Sequence, residues 1–276
     1  MKLFKKIGKI FSLLVVGIFV FYVLITIFIR PSLDRDWTPD QKVLSYSEFN
    51  GESVHIKNIR NINYRTTSDY DVAFYDKTFD LNKLESVWFM VEPFSGHGFG
   101  LAHTLLSFGF EGEEYVSISV EIRKEKGESF SPLKGILRQY ELVYVVADER
   151  DVIKLRSNYR KDKVFLYPVI TEKEKMRTLF VSMLNRANKL SQDPEFYNTL
   201  TSTCTTNIVS HINYITKGRI PLSYKVLMPA YSDELAQKIG FLDQSLSIEE
   251  LRKKYLINEK AEKYANDKEW SRRVRE

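Results

Sequence analysis

This chain has a single cysteine, Cys204, among 276 residues. No disulfide can form within it, and an unpaired thiol is available as a nucleophile if a histidine activates it. Metal chemistry lacks its ligands. There is no HExxH, and the four histidines, His55, His97, His103 and His211, form no close ligand pattern. No Walker A sequence, dinucleotide fingerprint, internal repeat or low-complexity tract occurs. The reading therefore calls for no metal and no cofactor. Acids are missing from Met1–Lys9, and only one long hydrophobic run exists, Phe11–Ile29.

What is present begins with that run. Lys2, Lys5, Lys6 and Lys9 make residues 1–10 a basic cytoplasmic tail. Residues 11–29 match a hydrocarbon core of about 30 Å at about 1.5 Å per helical residue. Lysines ahead of the span predict the N-terminus inside and the remainder outside. A secretory signal peptide is the rival. Its apolar core is shorter and is followed by a small-residue cleavage site, whereas here the span ends Ile27-Phe28-Ile29-Arg30-Pro31. Subtracting the four tail lysines from the formal charge of +5 leaves +1. The basicity is thus topology, not a nucleic-acid footprint.

Residues 30–53 read as a polar linker, 54–246 as one extracytoplasmic domain and 247–276 as a charged helix. Ser86–Val91, Leu101–Phe110, Glu141–Val146 and Val164–Val169 are expected strands, with a short helix an alternative for the second. In Tyr115–Arg123, Val116, Ile118, Val120 and Ile122 face one way. Tyr115, Ser117, Ser119, Glu121 and Arg123 face the other, as a half-buried strand requires. Thr171–Leu190 carries an apolar stripe at helical spacing, with Thr171 and Glu174 at capping-box distance. Cys204 opens a further helix that Ser202 or Thr203 can cap and Gly218 can stop. The fold class is α+β with mostly hairpin-connected, antiparallel strands on helices.

A cysteine at a helix N-terminus meets the positive end of the macrodipole and unbonded amides that can hold an oxyanion. His103, mid-strand between apolar neighbours, is the expected base. Glu121 on the next strand is the expected orienter of its ring, with Ser119 and Arg123 as second choices. His97 lies in the glycine-rich Ser95–Gly100 loop and competes as a base. His211 stands two helical turns, about 10.5 Å, beyond Cys204 and reads as structural. The bland alternatives are a buried small hydrophobe for Cys204, a hydrogen-bonded core histidine for His103 and a surface ion pair for Glu121.

Several segments in order resemble the periplasmic domain at the N-terminus of Lnb-type lipoprotein N-acyltransferases. They are Ile59–Arg65, Ala102–Thr104 with Ser107–Phe110, Ser119–Arg123, Ala147–Val152, Pro194–Leu200 and Cys204–Asn207, within Val54–Asp243. The histidine-before-cysteine order is also similar to circularly permuted papain-like proteins, the NlpC-type hydrolases and lecithin retinol acyltransferase. The resemblance implies a permuted papain-like domain with Cys204 as nucleophile and His103 as base. It implies acyl transfer through a Cys thioester to a lipoprotein N-terminal amine, with membrane lipid or lipoprotein as substrate. Arg60, Asn63 and Arg65 would meet a headgroup or peptide end, a role weighed against a solvated charged edge. One span precedes the domain, whereas some members of the family add spans after it. The rival functions are a cysteine peptidase or amidase on cell-wall peptide and a non-catalytic membrane-tethered binding protein. An apolar groove beside Cys204 favours lipid; an open polar cleft favours peptide.

Overall fold

In the computed structural model, which describes residues 2–94 and 100–276, the first helix, α1 (Lys2–Phe28), absorbs the basic tail as well as the apolar run. Within its stretch Phe4–Phe28 an 18-residue window reaches a mean hydropathy of 2.9, with none of that window buried. The run is long and apolar enough to cross a bilayer.

The domain that follows is a mixed, mostly antiparallel sheet with helices on both faces. In chain order its elements are α2 (Pro39–Lys42), β1 (Tyr46–Asn50), β2 (Ser53–Arg60), the short pair β3 (Asn63–Tyr64) and β4 (Tyr70–Asp71), then β5 (Phe74–Asp80), β6 (Leu84–Pro93), β7 (Ala102–Phe110) and β8 (Glu114–Arg123). Next come α3 (Pro132–Ile136), β9 (Glu141–Ala147), α4 (Glu149–Lys154), a π-helical turn over Leu155–Arg160, and β10 (Phe165–Pro168). The helices α5 (Lys173–Leu190), α6 (Cys204–Thr216), α7 (Tyr224–Leu227), α8 (Ser232–Lys238), α9 (Ile248–Tyr255), α10 (Asn258–Lys263) and α11 (Trp270–Arg273) complete it. Strand order is β1-β2-β9-β8-β7-β6-β10, with β5 also on β2. Every pairing is antiparallel except a single parallel contact, Arg60 to Ala147.

The alternation read in β8 sorts its residues correctly, but its polar side does not face water. Ser117, Ser119 and Arg123 are buried along with Val116, Ile118 and Val120. One sheet face packs Leu106, Phe108, Ile118 and Tyr144 against α5 and α6. The other packs Leu105, Val143 and Val145 against Val152, Ile257, Ala261 and Trp270. Polar residues survive on this second face because its cover brings their partners: Glu149 accepts from Ser107 and is held in turn by Arg275.

Three local expectations need correction. The linker is not free of structure, since β1 inside it joins the sheet on β2. Residues 247–276 are three short helices rather than one, because Ile257 and Trp270 turn inward to fill the second core. The Thr171–Glu174 capping box does not form; α5 starts after Glu172 with no side-chain cap. At α6 the expected cap does form: Thr203 and Thr206 make a reciprocal box, and Lys217 and Gly218 close the helix in left-handed conformations. At the start of β7, Gly100 has φ +85, and a Cβ there would meet the Met228 side chain at 2.8 Å. Glycine thereby lets α7 pack directly on this strand end.

Candidate active site

The ends of four strands make one edge of the molecule. β6 ends and β7 begins there, paired Pro93 to Ala102, and β8 ends where β9 begins, paired Arg123 to Glu141. β7 and β8 part company before they reach it, since their last ladder pair is Leu105 to Ser119. His103 and Glu121 lie just beyond that pair.

His103, Ser119 and Glu121 come together. The His103 Nε2 is 2.8 Å from the Ser119 hydroxyl, which donates to Glu121 Oε1 at 2.7 Å. With Ser119 committed as a donor to the carboxylate, Nε2 carries the proton and Ser119 accepts it. Glu121 itself stands 3.7 Å from Nε2. The residue in direct contact with the ring is therefore Ser119, and Glu121 acts through it. Nδ1 is left without a hydrogen-bond partner among the described residues.

Behind the serine lies a buried ionic network that sequence reasoning missed. Arg156, in the π-helical turn, donates to Glu92 at 2.7 Å and to Glu121 at 3.0 Å. Arg160 stands 3.7 Å from the other Glu92 oxygen, which makes no hydrogen bond. Arg60 lies in the same field and grips Asp151 at 2.8 and 3.0 Å. No motif marks Arg156; the only hint was an arginine following the Ala147–Val152 segment.

The network sets the protonation of the site. Burial, reinforced by Arg156, lowers the His103 pKa to about 3, so the imidazole is neutral at pH 7. Burial lifts the Glu121 carboxyl, but Arg156, His103 and Arg60 outweigh it and hold that group well below the usual range. Glu92 has the opposite fate, because burial beats Arg156 and its pKa rises to about 7. One guanidinium shared by two carboxylates leaves one of them poorly neutralised.

The sign of the Glu92 effect gives a test. A carboxyl whose folded pKa exceeds its unfolded one stabilises below the unfolded value, and that contribution is lost as pH rises through about 7. The loss is of order 3 kcal/mol at about 1.4 kcal/mol per unit. Glu92→Gln should flatten the fall in denaturant midpoint between about pH 5 and 8. An unchanged slope would mean that Glu92 is ionised throughout.

Cys204 lies in the other core. It is 6% exposed, in the cluster that holds Ala102, Leu106 and Tyr197. Its neighbour Thr205 meets Thr104 hydroxyl to hydroxyl at 3.0 Å. Thr104 and His103 are adjacent on a strand, so their side chains leave opposite faces of the sheet. The thiol and the imidazole are thus level with each other along β7, on either side of it. Among the described residues no hydrogen bond joins them, and the thiol's contact is Thr205 Oγ1 at 3.8 Å. The amides of Cys204 and Thr205 meet no acceptor among the described residues, as expected of a first helical turn.

Beside α6 runs a cavity of about 90 Å³ that opens in part to solvent. Its wall includes Phe89, Leu106, Ile208, Ile212, Leu235 and Phe241, and Thr205 lines it next to the cysteine. The lining is mostly apolar, with Thr171, Lys175, Thr205, Thr216 and Ser232 as its polar residues.

The remaining sequence candidates stand apart from the thiol. Arg123 stacks on Trp37 at 4.1 Å and donates to the Gln41 and Lys42 carbonyls, tying the linker to β8. Arg65 is exposed and paired with Asp69 and Asp71 at the surface. Asn63 is exposed on β3. His211 has both ring nitrogens engaged, by Ser182 at 2.7 Å and Tyr144 at 3.0 Å. His55 bonds Thr78 at 2.9 Å. His97 lies outside the described residues.

Comparison with known proteins gives one match. The family model of the Lnb N-terminal periplasmic domain matches residues 70–230, a span that includes His103, Ser119, Glu121, Arg156 and Cys204 but not Arg60 or Arg65. No curated protein and no solved structure matches the chain.

Proposed function

The chain belongs to the Lnb N-terminal periplasmic domain family, and from that premise we propose that it is a membrane-anchored extracytoplasmic thiol acyltransferase with a permuted papain-like catalytic domain. The observation that carries the reading is the apolar cavity that begins at Thr205, one residue from the only cysteine. The mostly apolar lining suits a fatty acyl chain; a cell-wall peptide would call for more polar partners than Thr171, Lys175, Thr205, Thr216 and Ser232.

In this reading Cys204 loses its proton to His103 Nδ1, and the thiolate attacks the ester carbonyl of a membrane lipid. The carbonyl oxygen takes the negative charge against the Cys204 and Thr205 amides. Collapse expels the lyso-lipid alkoxide, which takes the proton from His103, and leaves a thioester. The N-terminal amine of a lipoprotein then attacks the thioester, gives up a proton through His103 and returns the thiol. Ser119 and Glu121 hold the ring so that Nδ1 serves as the base. The chemistry requires Sγ and Nδ1 to meet, which they would have to do through the opening where β7 and β8 part beyond Leu105 and Ser119. The helix α1 remains attached as the anchor and holds the enzyme near its substrate.

The test is product analysis of a synthetic diacylated lipopeptide incubated with the full chain in phospholipid vesicles. Fragmentation should find an acyl chain in amide linkage at the N-terminal amine. Free fatty acid alone would make the protein a hydrolase.

A second reading is favoured by one observation, the absence of a thiol–imidazole contact. It is a tethered module that holds an acyl chain without chemistry. That module would bind lipid in the cavity and yield no product.

A further inference from the structure

We propose that the molecular edge carrying Phe130, Leu133 and Leu200 rests in the outer-leaflet surface, so that the domain lies on the bilayer with the Cys204 end of α6 turned toward lipid. The inference rests on the reading of α1 as a retained anchor.

The point where the chain leaves α1 is fixed on the domain. The Ser32 amide donates to Glu141 at 3.1 Å and Arg35 Nε stands 2.8 Å from the same carboxylate. The Trp37 indole closes this turn on the Leu33 carbonyl at 2.8 Å. Arg138 reaches back to the Thr26 carbonyl inside α1 at 3.2 Å. Glu141 opens β9, so the attachment is at the edge where β7 begins and β8 ends. Ser32 is four residue steps beyond Phe28, at most about 14 Å even when extended. A domain held that close to the end of a membrane helix has this edge at headgroup level.

The edge is built for that depth. Phe130, Leu133 and Leu200 are 40%, 63% and 55% exposed. They form one surface, because Thr199 donates to the Pro132 carbonyl at 2.7 Å and Phe130 packs edge-on to Tyr197. Lys134, 3.9 Å from Glu128, and Arg138, on the Thr26 carbonyl, put two cationic side chains beside them. The same surface leads into the active end of α6, since the Asn198–Ser202 turn that carries Leu200 runs into the Thr203 cap and Cys204. A lipid leaving the outer leaflet at this edge would emerge beside the thiol.

Tryptophan depth reports the arrangement. The full chain, reconstituted in vesicles of brominated phosphatidylcholine with phosphatidylglycerol, is compared as Leu133→Trp, Leu200→Trp and Lys83→Trp, each against wild type. Lys83 is exposed at the opposite end of the sheet, where its carbonyl accepts from Glu111. Leu133→Trp and Leu200→Trp should lose emission about twofold, as expected for side chains about 5–10 Å into the headgroup–acyl boundary, and Lys83→Trp should lose none. All three targets are exposed, so the fold tolerates the substitutions. Equal emission at all three sites, with residues 1–29 present by intact mass, overturns the surface and leaves the anchor standing. So does a Leu133→Trp signal shielded from aqueous acrylamide but untouched by bromine, which means that protein covers the edge. A chain lacking residues 1–29 and free of vesicles overturns both readings.

Discussion

Cys204→Ser should lower acyl transfer by at least about 10³-fold while leaving the denaturant midpoint nearly unchanged, because a nucleophile's removal costs most of the catalysis and serine nearly preserves its volume. The cap of α6 is made by Thr203 and Thr206, not by residue 204, so the helix end survives the substitution. His103→Ala is the informative companion. If the first turn of α6 and the histidine meet across the parted strands, its loss should also approach about 10³-fold, with Nδ1 the missing base. A loss below about tenfold, with Cys204→Ser inactive, would assign proton transfer to another group. Two fully active variants would reduce the thiol to a core residue and leave the lipid-binding module. The measurement is product formation on the lipopeptide, with urea midpoints read on the same preparations.

The contrast between these residues shows where the sequence could be read and where it could not. The uncharged run Phe11–Ile29 announces a membrane-length helix because length and composition alone decide it. The period of two in Tyr115–Arg123 sorts β8 into two faces, and the Ser-Thr run before Cys204 finds the helix start that Thr203 caps. Such signals are local. The side of β7 on which α6 docks is not local. His103 and Thr104 are neighbours in sequence, and only the docking of Thr205 on Thr104 puts Cys204 across the sheet from the histidine. Likewise, nothing in the alternation of β8 tells a solvent-facing polar row from one buried under a later segment. Arg156 and Trp270, which lie far along the chain, make that difference. Glu121 was legible as a partner of His103, but Ser119 between them was only a second choice. Ser119 is the direct contact where β7 and β8 part beyond the Leu105–Ser119 pair, so that Glu121 is not laddered across from His103.

Arg156→Met should be the most destabilising single change in the domain core, by about 3–5 kcal/mol at pH 7 to 8. Methionine fills similar volume, so the cost is electrostatic. Glu92 is fully buried and the Glu121 side chain is 17% exposed, and both lose the guanidinium that each contacts directly. Arg160 and Arg60 stay near but make no hydrogen bond to either carboxylate among the described residues. The sign with pH follows. In the native chain Glu121 has a depressed pKa, so its pairing stabilises above the unfolded value and is lost as pH falls. Without Arg156 both carboxyls are pushed up by burial and protonate readily, so the deficit should be largest above about pH 7 and shrink toward about pH 5. Adding Glu92→Gln to Arg156→Met should recover part of the loss at high pH, since one of the two orphaned charges is gone. Urea midpoints of the four chains at the two pH values measure the coupling. A deficit independent of pH would show that Arg156 acts by packing alone. His103 supplies the functional readout: with Arg156 gone, a cation that opposes protonation of the imidazole is removed, and its pKa should rise from about 3. The acid limb of the activity profile would then move upward in pH, an effect that loss of packing does not produce.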